Sequence, residues 1–286
     1  NKAYSDPYWL QNKGTLGMYA VKDPLQIGKP ESDRPLQIEF HLNIWEHDIT
    51  FTKNVVYRYS KSDIGEIYEP FEVLPEVTTK LNNKVILFSD DTPQKVQVSV
   101  RAGKNNVNGF VSLQVPNNWE ISPKQIPFSI TQKGDNLTVD FMVTPPANQS
   151  EGLLTSVATV DGKTYSKELV EINYSHIPKQ SVLLNSEAKI VRLNIQKNGS
   201  FIGYIAGAGD VVPESLRQIG YNVITIDPNE INEENLHKFD AVVLGVRAYN
   251  IVDALKFKQK FLLDYVEKGG NMIVQYNTSG RGGIDV

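Results

Sequence analysis

The sequence predicts a β-rich, multi-domain chain whose last third switches to a parallel α/β sheet. Three observations predict this. Residues 1 to about 176 alternate apolar and polar residues over many short runs. Turn residues recur between those runs, as in "NNK", "KGDN", "DGK" and "PPAN". Beyond that point the runs become continuous and apolar, and helix-like segments separate them.

The β portion comes first. "PLQIEFHLNI", "KVQVSVRAG", "GFVSLQVP", "LTVDFMVTPP" and "TSVATVDGKTYSKELVEINY" all alternate as half-buried strands should. About 170 residues is large for one sandwich, which takes roughly 100. We therefore divide the region into two antiparallel Ig-like β-sandwiches, 1–84 and 85–176. The boundary is placed in "EVLPEVTTKLNNKVILFSDD". Trp119, after a strand and before a proline turn, reads as a core plug.

The third domain is read as 177–286, a flavodoxin-like or amidotransferase-like parallel sheet. Strands are expected at about 201–206, 222–226, 240–246 and 271–276. Ala254, Phe257, Phe261, Leu262 and Tyr265 fall at spacings of three and four and predict an amphipathic helix. Gly269 and Gly270 close it. Right-handed crossovers with short connections give the strand order 2-1-3-4. That order leaves "MIVQY" at an edge without a charge, followed by the glycine-rich "SGRGGIDV". The domain is therefore expected to be incomplete as given.

Composition narrows the function. The net charge is −4, and no basic stripe points to nucleic acid. No apolar run approaches the roughly 20 residues of a membrane helix. With no cysteine, a disulfide framework, a thiolate metal site and a cysteine nucleophile are excluded. His41, His47, His176 and His237 are scattered without metal-ligand spacing. His47, between Glu46 and Asp48, reads as part of a charged strand end, and no metal site is expected.

"GYIAGAGDVV" poses the main question, because strand, glycine turn and helix is also the order of a dinucleotide-binding loop. Asp227 follows Gly207 by 20 residues, where a ribose-binding acid would stand. Against this, Val212 replaces the last glycine of the motif. Asp210 puts a carboxylate where the pyrophosphate would need N–H donors. We read Asp210 or a neighbour as a helix cap and expect no cofactor-binding residue. No catalytic residue is assigned either. The turn after the last strand offers Asn277, Thr278 and Ser279 but no cysteine, and G-x-S-x-G is missing. The candidate ligand contacts are the polar residues at the strand ends: Gly207, Asp210, Asp227, Arg247, Tyr249, Asn250, Tyr276 and Asn277.

Three stretches together resemble one family. They are "PYWLQNKGTLGMYAVKDPLQIGKP" with "VVYRYSKSDIGEIYEPFEVLPEV", the Ig-like segment from about 85 to 176, and "GYIAGAGDVVPESLRQIGYNV" with "FDAVVLGVRAYN" and "GGNMIVQYNT". Their order resembles the C-terminal accessory region of bacterial (Bacteroidetes-type) LmbE-like, or PIG-L, de-N-acetylases. The middle segment is similar to the module attached to α-galactosidases. The resemblance implies a hydrolase that removes an N-acetyl group from an amino sugar with zinc-activated water. The family's "AHPDDE"-type zinc loop is absent here, so zinc and catalysis would belong to an N-terminal deacetylase domain of the same polypeptide. That domain is the expected partner, with glycan as a second. A periplasmic or extracellular location is also implied, where sequons such as those at Asn136 and Asn198 matter only in a glycosylating host. Two other readings stay open: an α/β domain with its own ligand or cofactor activity, and a structural spacer.

Overall fold

The computed structural model describes residues 4–177 and 179–279. The glycine-rich segment from 280 onward lies outside them. Among the described residues, twenty strands and four α-helices follow in order. β1 (Gln37–Ile44), β2 (His47–Asn54), β3 (Val56–Lys61) and β4 (Gly65–Pro70) open the chain. Next come β5 (Val77–Leu81), β6 (Val85–Phe88), β7 (Gln94–Ala102), β8 (Val107–Gln114), β9 (Glu120–Ser122), β10 (Gln125–Ile130) and β11 (Asn136–Thr144). They are followed by β12 (Ser150–Val160), β13 (Lys163–Tyr165), β14 (Lys167–Ile172), β15 (Gln180–Asn185) and β16 (Glu187–Arg192). The last part holds β17 (Phe201–Ile205), α1 (Val212–Gln218), β18 (Asn222–Thr225), α2 (Glu233–Leu236), β19 (Ala241–Leu244), α3 (Ala248–Ile251), α4 (Leu255–Glu267) and β20 (Asn271–Val274).

The centre is a two-sheet sandwich. One sheet runs β10-β8-β12-β16-β6, with β13 beside β12, and the other runs β5-β7-β11-β9. Along β7, Val96, Val98, Val100 and Ala102 alternate inward, as a period of two requires. They meet Val111, Leu154 and Ile190 of the other sheet in one core. Trp119 is buried there, edge-on to Phe88 at 5.1 Å, and its indole N–H donates to Ser150 Oγ at 3.2 Å. Buried hydroxyls are paired: Ser156 donates to Thr79 Oγ1 at 2.8 Å and meets Ser186 Oγ at 2.5 Å.

This sandwich corrects the expected boundaries. The stretch read as a domain junction forms β5 and β6, and β16 pairs in parallel with β6 at the sheet edge. The sandwich thus spans 77–192 rather than 85–176. Nor do residues 1–84 show a two-sheet unit among the described residues. β1–β2 and β3–β4 are separate hairpins. Phe40 and Phe51 stack at 5.0 Å on one face of the first, with Ile38, Leu42, Ile44 and Ile49, and all six remain exposed. Alternation in sequence specifies an apolar face without specifying what covers it.

In the α/β unit the strand order is β18-β17-β19-β20, all parallel, which is the expected 2-1-3-4. Val242 and Leu244 pack with Leu255, Leu262 and Tyr265, while Val243 on the other face packs toward Val212 and Leu216. Helices therefore cover both faces, as a parallel sheet needs. Phe257, expected on the buried stripe of α4, is 82% exposed. It sits roughly 100° from the centre of the stripe at 3.6 residues per turn. The unit also touches the sandwich: α1 packs on β6, and the Leu87 N–H donates to Gln218 Oε1 at 2.9 Å. No helix among the described residues is long and apolar enough to cross a membrane.

Leu154 is fully buried at the sandwich centre. Leu154→Ala should cost about 2–5 kcal/mol, read as a shift in the urea unfolding midpoint. The equally drastic Phe257→Ala on exposed α4 should move it by less than about 0.5 kcal/mol.

Candidate functional site at the strand ends

The carboxyl ends of β17, β19 and β20 converge on Asp210. Its Oδ2 accepts from the Tyr204 hydroxyl at 2.5 Å and from the Val246 N–H at 3.2 Å, and Gln275 Nε2 approaches it at 3.5 Å. Its Oδ1 accepts from the Val212 N–H at 2.9 Å, at the start of α1. Burial opposes the charge of this carboxyl, but the bonds from Tyr204, Val212 and Val246 outweigh it and hold the group below the usual carboxylate range. Burial and the same Asp210 bond push the Tyr204 hydroxyl well above its ordinary value.

The glycines beside it answer to backbone crowding. A Cβ on Gly207 would lie 2.1 Å from the Val246 carbonyl oxygen, and one on Gly245 would lie 2.5 Å from the Tyr204 hydroxyl. Gly207 is small because two strand-end turns touch. The Asp210 carboxylate itself takes the α1 N–H that a phosphate would seek. Pro213 and Glu214 fill the first turn of α1.

Most of the predicted contact set is brought together here. Asn277 accepts from the Tyr249 N–H at 3.1 Å and donates to the Gln275 carbonyl at 2.8 Å. Asn250 exchanges two bonds with Thr278, each of 2.9 Å. The Arg247 N–H donates to the Tyr276 carbonyl at 2.7 Å from a left-handed backbone, φ 58°. Arg247 and Tyr276 present exposed side chains. Tyr249 is buried and its hydroxyl has no hydrogen-bond partner among the described residues. Asp227 stands apart at the end of β18, where it accepts from the Asn229 N–H and caps a short 3-10 turn.

Tyr204 and Gln275 were missed from sequence. The available signal was a polar group inside each apolar strand run, "IGYIAG" and "MIVQY". The Asp210 carboxylate, the Tyr204 phenol and the Gln275 and Asn277 amides bond to one another or to the backbone, and among the described residues no serine, threonine, lysine or histidine of the site is bonded to a base. His237 is exposed next to Glu233, which pairs with Lys268. Among the described residues no group of three or more histidines, aspartates or glutamates is placed to hold a metal ion. His47 opens β2 in a two-residue hairpin whose tip is Trp45 and Glu46.

Comparison with known proteins bears on the sandwich. Residues 90–161 match the family of NPCBM-associated, NEW3 domains of alpha-galactosidase. Among curated proteins, no sequence matches the chain. Two solved structures are similar in part. An MSP family member from C. elegans is 7% identical, with a TM-score of 0.22, over 40% of this chain and 97% of that one. A family 123 glycoside hydrolase from Clostridium perfringens is 11% identical, with a TM-score of 0.24, over 70% of this chain and 48% of that one.

Two outcomes are expected at this site. Asp210→Asn should lower stability by about 1–3 kcal/mol at neutral pH, the range for bonds to a charged group. Because the folded pKa of Asp210 is depressed, its stabilisation exists above the unfolded value of about 3.9 and fades as pH falls through the folded one. The gap between wild type and variant in urea melts should therefore close below about pH 4. Isothermal titration of NAD or FAD should show only heats of dilution, and micromolar binding would contradict the geometry.

Proposed function

We propose that this chain is a non-catalytic, carbohydrate-associated accessory region that positions a catalytic partner or contacts glycan. The observation that carries the reading is the match of residues 90–161, in the sandwich, to NEW3 domains of alpha-galactosidase. The strand-end site supports it from the other side, since the Asp210 carboxylate is taken up by Tyr204, Val212, Val246 and Gln275 and its bonds lower its basicity.

Within that reading, the parent protein is an LmbE-like sugar N-deacetylase with its zinc in a separate catalytic domain, working in the periplasm or outside the cell. The support is the resemblance of "GEIYEPFEV", "FDAVVLGVRAYN" and "VQYNT" taken as a set. On this reading the chain alone does no hydrolysis.

The test has two arms. A glycan array probed with the chain should show binding to at least one saccharide class. An acetate-release assay on N-acetylglucosamine derivatives with added zinc should stay at background. Zinc-dependent release of acetate by this chain, lost on chelation, would sink the proposal.

A further inference from the structure

The N-terminal segment builds a cleft that uses none of the strand-end residues. Residues 4–11, 31–35, 72 and 179–181 contribute to a cavity of about 330 Å³. That lies at the lower end of the range for small-ligand sites.

Its walls are fixed by contacts across long sequence distances. Tyr8 is buried, its N–H donates to Ser32 Oγ at 2.8 Å and its hydroxyl donates to the Lys29 carbonyl at 3.1 Å. Trp9 stands edge-on to Tyr8 at 4.8 Å and 89°, which sets the plane of its indole. Ser5 and Val73 exchange two bonds of 2.8 Å. On the opposite wall the Leu183 N–H donates to Asp6 Oδ1 at 3.1 Å, and the Ser181 hydroxyl donates to Glu72 Oε2 at 2.6 Å.

Each of these two carboxylates spends one oxygen on the wall. The other oxygen of each, Asp6 Oδ2 and Glu72 Oε1, accepts no hydrogen bond from a described residue. Burial lifts the Asp6 carboxyl above its usual range despite the Leu183 bond, so a further donor would be favourable there. Of the four lining carboxylates, Glu31 pairs with Arg34 and Asp33 with Lys29, and the lining Lys179 pairs with Glu171, which leaves Asp6 and Glu72 without an ion-pair partner among the described residues. Two such carboxylates repel anions and tolerate a cation.

An oriented indole beside carboxylates with free acceptor oxygens matches one ligand chemistry well. The C–H face of a pyranose packs on the ring, and its hydroxyls donate to the carboxylates. We propose that this cleft is a saccharide subsite for a neutral or amine-bearing pyranose, with Trp9 as the platform and Asp6 and Glu72 as hydroxyl acceptors. The inference rests on the carbohydrate reading above and deepens it by naming the place and the ligand class.

The test is saturation-transfer NMR and calorimetric titration of the full chain with methyl galactoside, methyl glucosaminide and methyl glucuronide. The first or second should bind, with the glucuronide at least about tenfold weaker, a difference of about 1.4 kcal/mol. Trp9→Ala should weaken binding by about tenfold or more, with Trp9→Phe closer to wild type. Glu72→Gln keeps the Ser181 bond, so the fold should hold. It should weaken the neutral sugar several-fold and narrow the gap to the glucuronide. Glycan binding that is unchanged in both the Trp9 and Glu72 variants would overturn the cleft and leave the accessory reading standing. Glucuronide bound as tightly as galactoside would overturn the ligand class. Binding of no glycan, here or on the array, would overturn both.

Discussion

The Asp210 carboxylate is the constraint around which the α/β unit is organised. Four donors reach it, from the middle of one strand, the ends of two others and the first turn of α1. Each donor is a group that burial would otherwise penalise. The neighbouring glycines follow from it, because the turns at Gly207 and Gly245 must approach closely enough for one carboxylate to serve them all. A site of this kind is rigid because it is satisfied. In a phosphate-binding loop the same N–H groups wait for a ligand, whereas here the chain supplies its own anion.

The sandwich solves a different problem. Its core is apolar and built by strict alternation, yet Thr79, Ser156 and Ser186 lie inside it. Their hydroxyls bond to each other and to the Ser156 carbonyl, so the polar atoms cost little. Arg192, at the end of β16, is paired only in part, since its buried Nε has no hydrogen-bond partner among the described residues. Its guanidinium is buried and donates to the Leu193 and Ala147 carbonyls and to Asn194, just where the chain leaves the sandwich.

How much of this was legible in the sequence depended on whether periodicity alone decided the outcome. The four parallel strands and their order were readable because continuous apolar runs and short connections leave few topologies. β7, β8, β11 and β12 were readable from their apolar–polar alternation, and Trp119 from its place after a strand and before a proline turn. The sandwich limits were not, because "VTTKL" and "KVILF" are short and their pairing with β7 and β16 spans long sequence distances. The N-terminal hairpins alternate as convincingly as the core strands, and only three-dimensional contacts show that Phe40 and Leu42 stay uncovered. Asp210 was recognisable as hostile to a phosphate, but its partners Tyr204 and Gln275 lie 6 and 65 residues away. The Trp9 cleft was invisible in sequence, since its walls come from four separate segments.

The bond from the Leu87 N–H to Gln218 joins the sandwich to the α/β unit. β6 is the last strand of its sheet, and a bare strand edge invites unwanted pairing. Here a helix of the neighbouring unit lies against it. In terms of descent, the sandwich is then not a freely movable cassette. A gene rearrangement that carried it elsewhere without α1 would carry an unguarded edge as well. Such a transfer would persist only where the new neighbour, or new charges on β6, took over the guarding.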